Sequence, residues 1–275
     1  MSAEYGVRSA EWAEARGTDS AFPTPHSALA WRFLPEPDGR RGADNMAIDA
    51  ALLREADRTG AAFLRLYRWD PPCLSFGRHE PALTRYDRSR IEALGLDVVR
   101  RPTGGRAVWH EHEVTYAVAA PIARFGSLRD SYRAIHERLA AALRRLGADA
   151  TLAPDAPAHG LGAGACFAAP VGGEVLVAGR KVIGSAQVRR GSAFLQHGSI
   201  LLDGSQGVVS DVSREQGAES RETSLTATLG RPVSFDEVVT AITDTWDADL
   251  TLTASVRPGP PRSAPFSDPA WTWRR

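Results

Sequence analysis

Lysine is almost absent from this chain. Of its 33 basic residues, 32 are arginine, and the exception is Lys181 in the stretch AGRKVIGSAQVRR, Ala178 to Arg190. On a solvated surface the two cations are nearly exchangeable. A chain biased towards arginine therefore keeps lysine by chance, or where a compact point charge serves and a wide planar fork does not. Lys181 is a candidate functional residue if its neighbours support it.

Cysteine is nearly as scarce. Cys73 and Cys166 lie far apart in a chain expected to be cytosolic, which argues against a structural disulfide, so each thiol is read separately. Charge of one sign is missing too: 33 acids balance 33 bases, leaving no basic field for nucleic acid or an anionic membrane. No run approaches the roughly 20 apolar residues of a membrane helix, and the start, MSAEYGVRSAEWAEARGTDS, lacks the apolar core of a signal peptide. A cytoplasmic protein without nucleic-acid or membrane partners is expected. His110 and His112 flank Glu111, but no clustered ligands follow, so no metal site is expected.

What is present is an ordinary globular composition, 43% apolar and 24% charged over 275 residues, enough for one large domain with a small appendage. Residues 1–28 are polar and read as a mobile lead-in, residues 29–250 as the main folded domain, and residues 251–275 as a C-terminal tail. WRFL from Trp31, FLRLYRW from Phe63, CLSFG from Cys73 and DVVRR from Asp97 read as strands, FLRLYRW by the alternation of a half-buried one. NMAIDAALLREA from Asn45 has helical spacing, with Asp44 or Asn45 as N-cap. The strongest helix spans Ser127 to Leu146, with Ser127 and Asp130 as a capping box and Gly147 as the stop. EVLVA and VIGSAQVRR are expected to form a hairpin around Gly179 and Arg180, followed by a strand at AFLQHGSILL and a helix from Phe235 to Trp246. The pattern predicts an α/β (α+β) domain on a mixed, largely antiparallel sheet with flanking helices, not a doubly wound one.

Three stretches could carry chemistry. In RRPTGGRAVWH (Arg100 to His110), Gly104 and Gly105 would let backbone N–H groups approach an anionic or carbonyl oxygen, although adjacent glycines also make plain turns. In ACFAAP, Cys166 is either a buried apolar thiol or a nucleophile. Lys181 on the next hairpin would favour its thiolate, and the two make a coherent pair. His110 and His197, at strand ends among these motifs, are candidate general bases or structural histidines. Cys73, in an apolar strand, is read as core.

Taken in order, RRPTGGRAVWHEHEVTYAV, CFAAP, GRKVIGSAQVRR and LQHGSILL closely resemble the lipoate ligase and octanoyltransferase family, related to the biotin protein ligases. NMAIDAALL and the WTWRR ending also fit, and the resemblance covers residues 31–202 well and the tail loosely. Ala50 stands where many relatives carry an acid, at a helical site whose change is not expected to disable chemistry. The resemblance implies a mixed-sheet catalytic domain with a tunnel for a medium-length acyl chain. It gives Lys181 the contact to the acyl carbonyl and makes Cys166 the nucleophile. Arg101, Gly104, Gly105, Arg106, Ala107, Val108, His110, Gly184, Ser185, Ala186 and His197 are the expected substrate-binding residues.

Members of the family divide by chemistry. Cysteine-dependent octanoyltransferases take octanoate from octanoyl acyl carrier protein as a thioester and pass it to a lysine of a lipoyl domain or glycine-cleavage H protein, without a cofactor. Amidotransferases use the same cysteine between two carrier proteins. Lipoate ligases use ATP and Mg2+ to make an acyl-adenylate, and the complete ones usually carry a C-terminal accessory domain. The chain beyond Leu202 leaves little room for such a domain. Octanoyl transfer is the expectation, ATP-dependent ligation the alternative, and a non-catalytic lipoyl or acyl-binding module the competing reading from another class.

Overall fold

Two parallel crossovers and a run of antiparallel strands build the frame in the computed structural model, which describes residues 30–154, 172–215, 222–246, 248–253 and 265–274. In chain order the elements are β1 (Trp31–Arg40), α1 (Gly42–Thr59), β2 (Ala62–Trp69), β3 (Cys73–Phe76), α2 (Ala82–Arg85), α3 (Arg88–Ala93), β4 (Asp97–Arg100), β5 (Val108–His110) and β6 (Glu113–Pro121). There follow α4 (Leu128–Arg145), β7 (Ala150–Leu152), β8 (Val175–Val177), β9 (Arg180–Lys181), β10 (Ile183–Arg190), β11 (Ala193–Leu201), α5 (Gly207–Val212), α6 (Leu225–Leu229), α7 (Phe235–Thr245), β12 (Leu250–Leu252) and α8 (Pro269–Thr272).

The main sheet runs β10-β11-β6-β2-β1-β12, parallel where β1 meets β2 and β12 and antiparallel elsewhere. This is the mixed, largely antiparallel sheet the sequence predicts. Period-two alternation assigns its faces. Leu64, Leu66, Val114, Tyr116, Val118, Phe194 and Ile200 share a core with α4 and α7, while Phe63, Tyr67, Ala117, Ala119 and Leu195 pack with α1. A small sheet, β4-β3-β5, carries a third core that includes Phe76, Tyr86 and Trp273. Cys73 belongs to the α1 core, where burial, then Asp97 and Glu113, push its thiol well above the ordinary range.

Three expectations need correction. First, Arg41, not Asp44 or Asn45, caps α1, and it does so with backbone only. The Asn45 side chain is diverted to the carbonyls of Arg40 and Arg68, fastening the helix start to the ends of β1 and β2. Second, the hairpin at Gly179 joins only the short strands β8 and β9, and β10 leaves it to pair with β11 through the main sheet. Third, β2 is not half-buried with its arginines outside: Arg65 is fully buried, because acidic partners wait for it under α1. The long helix keeps Ser127 as its cap, the side chain accepting from the Asp130 N–H, but the expected capping box does not close, because the Asp130 carboxylate accepts from Ser127 Oγ instead of the backbone; Gly147 follows the helix end at φ +99°. Residues 1–28 lie outside the described residues.

Candidate active site

A small pocket opens where β10 and β11 face the small sheet and the start of α1. Its wall is mostly apolar with a few convergent polar groups, the usual character of a small-ligand site. Met46, Tyr67, Trp69 and Val108 supply the apolar surface, while Ser75, Arg101, His110, Ser185 and His197 supply polar atoms.

The α1 side of the pocket rests on a buried ionic network. Asp49 accepts from Arg65 Nη1 at 2.8 Å, from the Tyr67 hydroxyl at 3.0 Å and from His197 Nδ1 at 2.8 Å. Arg65 also reaches Glu36 and the Asn45 side chain. Burial alone would raise the Asp49 carboxyl, but the His197 hydrogen bond and the Arg65 guanidinium outweigh it and hold it below the ordinary range. His197 is pushed down, chiefly by burial, and its Nε2 meets the Thr103 hydroxyl at 2.6 Å. Both ring nitrogens are thus engaged, and His197 is a fixed piece of wall.

His110 is fixed in the same way. Its Nδ1 meets Glu113 at 2.9 Å, its Nε2 meets Ser75 Oγ at 2.7 Å, and its ring stacks on Trp69. Arg101 completes that line by donating to Ser75 Oγ and O, and also to the carbonyls of Gly104 and Arg106. Its five N–H donors therefore all go to protein atoms, which makes Arg101 the organiser of the glycine turn. The turn is seated on Gly77, where an added Cβ would fall on the Gly105 carbonyl oxygen.

The glycine stretch divides in space. Val108 and His110 line the pocket, whereas Ala107 points into the small-sheet core and Arg106 pairs with Glu215 at 3.7 Å. Gly104 has open space where a side chain would stand, and Gly105, at φ +91°, lies beside Ala186. Gly184, Ser185 and Ala186 all line the pocket from β10, an edge strand of the main sheet among the described residues. An edge strand presents backbone donors that no ladder uses.

Lys181 is buried, with its Nζ 2.7 Å from Glu174 Oε1. Glu174 stands at the start of β8, within 3.5 Å of the Tyr132 hydroxyl on α4. Between this ion pair and the pocket lies His136, whose Nδ1 meets the Gly173 carbonyl at 2.7 Å and whose Nε2 meets Ser185 Oγ at 2.8 Å. Cys166 lies outside the described residues. The strands flanking its segment are joined at the base by Ala153 N–H to the Glu174 carbonyl and Gly173 N–H to the Ala153 carbonyl. That base adjoins the Lys181 and His136 contacts.

The family model of the lipoyl protein ligase A/B catalytic domain matches residues 41–247. The chain belongs to this family. An octanoyltransferase LipM of Carboxydothermus hydrogenoformans is 47% identical over 176 residues, 62% of this chain and 65% of that protein, so the match spans just under two thirds of that relative. One of Kyrpidia tusciae is 40% identical over 233 residues, 78% and 85% of the two chains. Among solved structures, a T. acidophilum protein with bound lipoic acid superposes at a TM-score of 0.73, with 22% identity, over 89% of this chain and 100% of that one. A lipoate-protein ligase A bound with ATP gives 0.68, with 24% identity, over 82% and 89%. These two likenesses bear on the fold.

Within this lipoyl ligase-type frame, sequence reasoning missed the groups that hold the named ones in place: Asp49, Arg65, Glu113, Ser75, His136 and Glu174. Only Asp49 left a trace, an acid at helical spacing with Met46, Leu53 and Ala56 on the face α1 buries. Gly198 is a further site residue. A Cβ there would fall on the Gly184 carbonyl oxygen and within 2.7 Å of Ser185 Oγ. Gly198→Ala should destabilise the fold by about 1–3 kcal/mol through overpacking and lower acyl transfer more than tenfold. Denaturant midpoints and transfer rates check the two effects separately.

The buried histidines also set an acid limit. Burial lowers His136 to about 4, with Lys181 adding to the effect against the Gly173 hydrogen bond. Such a group favours folding above its unfolded value of about 6.5, and that contribution drains away as pH falls towards the folded value, a loss of order 3 kcal/mol. His197, shifted the same way, adds to it. Urea midpoints should fall from pH 7 to pH 4.5 in the wild type and fall less in His136→Leu.

Proposed function

We propose that this protein is an octanoyltransferase of protein lipoylation. Cys166 takes an octanoyl group from octanoyl acyl carrier protein as a thioester. A lysine of a lipoyl domain or of a glycine-cleavage H protein then receives it as an amide. The chemistry is acyl exchange, thioester to thioester to amide, so neither ATP nor a metal enters, and the reaction is assigned to the cytoplasm.

The observation that carries the reading is the chain's one lysine, buried against Glu174 behind His136, which in turn meets Ser185 of a largely apolar pocket. Placed near Cys166, that ammonium stabilises the thiolate, which attacks the acyl carbon while the donor's thiol leaves. Edge donors of β10 at Gly184 to Ala186, with the Gly104–Gly105 turn opposite, suit the oxyanion of the tetrahedral intermediate. Similarity to octanoyltransferases, at 47% and 40% identity, favours transfer over ATP-dependent ligation. Among the described residues of the wall, His110 and His197 have both ring nitrogens engaged, which agrees with a lysine–cysteine pair as the reacting groups. The test is transfer from octanoyl acyl carrier protein to a purified lipoyl domain without ATP, followed by the acceptor's mass. Octanoylated acceptor supports the reading, whereas product that requires free octanoate and ATP defeats it.

A further inference from the structure

A directed line of hydrogen bonds ends at the pocket wall. Gln187 Nε2 donates to Gln196 Oε1 at 2.7 Å, and Gln196 Nε2 donates to the Tyr116 hydroxyl at 2.9 Å. The Tyr116 hydroxyl lies 2.7 Å from Ser185 Oγ, and Ser185 Oγ lies 2.8 Å from His136 Nε2. The far end fixes the direction of the whole line. The Gly173 carbonyl can only accept, so His136 Nδ1 carries the proton and Nε2 is a bare lone pair. Ser185 lies closer to Nε2, at 2.8 Å, than the Tyr116 hydroxyl does at 3.4 Å, so Ser185 donates to that lone pair and Tyr116 donates to Ser185. What Ser185 can still offer the pocket is an oxygen lone pair.

We propose that Ser185, oriented by His136 and Tyr116, accepts a hydrogen bond and then a proton from the primary amine that attacks the acyl-enzyme. The proposal rests on the acyl-transfer reading above and names the group that handles the amine in its second half. As the amine nitrogen bonds to the acyl carbon, its proton passes to Ser185 Oγ and the Ser185 proton passes to His136 Nε2. The C–S bond then breaks, the sulfur leaves as thiolate, and the imidazolium returns its proton through Ser185 to that thiolate. Amine and thioester become amide and thiol, with no other reactant.

The surroundings suit a proton that is passed on and not kept. His136 is buried on α4, the Tyr132 ring lies edge-on to it at 4.2 Å, and the Lys181 charge opposes its protonation while Glu174 neutralises part of that charge. Gly198 is the residue facing Ser185 across the β10–β11 ladder, and its missing side chain leaves the hydroxyl its room. Ser185 touches the amine and is the catalytic residue of the step. His136 and Tyr116 are positioning residues.

The experiment separates the two halves of the reaction. Acyl-enzyme is prepared from wild type, Ser185→Ala and His136→Gln, with the rate of its formation recorded for each, and each is mixed in single turnover with a lipoyl domain. Amide formation with the lipoyl domain should fall at least about 100-fold in both variants. Acyl-enzyme should form at similar rates in all three, because that half exchanges one thiol for another and takes no proton from an amine. Wild-type amide formation in Ser185→Ala, which removes only one hydroxyl, overturns the proposal. So does an equal slowing of acyl-enzyme formation, which would mark a structural defect. If wild type forms no acyl-enzyme, the transferase reading itself fails, and the proposal with it.

Discussion

Replacing Cys166 with alanine should abolish octanoyl transfer, lowering the rate by at least about 10³-fold, with no acylated enzyme formed at any donor concentration. The size of the effect follows from the role. A nucleophile that carries the acyl group cannot be replaced by better binding, and loss of such a group typically removes most of an enzyme's acceleration. A cysteine that merely lined a wall would behave differently. Its loss would change KM by a small factor and leave turnover in place. Steady-state rates with octanoyl acyl carrier protein as donor, together with the mass of the enzyme during turnover, check both halves of this prediction.

Lys181→Arg should be nearly as damaging although it keeps the charge. The Lys181 ammonium is enclosed, with 2% of its side chain exposed, and pairs with Glu174 Oε1 at 2.7 Å. A guanidinium is wider, carries five donors in a fixed plane, and would need acceptors that a site shaped for an ammonium does not offer. Transfer should fall at least about 100-fold. Lys181→Met should also lower stability by about 3–5 kcal/mol, because it strips a buried carboxylate of its cation. Lys181→Met combined with Glu174→Leu removes both charges and should recover much of that stability without recovering transfer. Denaturant midpoints alongside transfer rates for the four proteins separate the pair's structural effect from its chemical one. Full activity in Lys181→Arg would show that charge alone suffices.

The parts of this account that were legible in the sequence are those set by local rules. The Ser127 cap and the Gly147 stop depend on a few adjacent residues, and both appear as expected. Lys181 stood out for a different reason: it is the one lysine in a chain of arginines, and the structure buries it against Glu174. Arg65 was misleading because its partners, Asp49 and Glu36, are distant in sequence and meet it only once α1 lies across β2. Alternation in FLRLYRW is the pattern of an exposed basic face, and nothing local distinguishes an arginine in water from one over buried carboxylates.

His136 was hidden by the same limit. On α4 it sits next to Ile135 at helical spacing and reads as one more residue of an amphipathic helix. Its role depends on Gly173 and Ser185, which approach from β8 and β10. The hairpin was half legible. Gly179 does turn the chain, but β10 gains a longer ladder by pairing with β11 from Ile183 to Arg190 than by continuing beside β8. The tight β10–β11 hairpin, closed by Arg190 opposite Ala193, therefore decided both the strand and the position of Ser185 in the pocket wall.

The central claim is a covalent acyl-enzyme formed without nucleotide. Intact-protein mass spectrometry after mixing with octanoyl acyl carrier protein in the absence of ATP tests it most directly. An adduct of one octanoyl group that hydroxylamine removes, and that maps to the peptide holding Cys166, is the predicted result. An unmodified enzyme that instead makes acyl-adenylate from ATP and free octanoate or lipoate would contradict it.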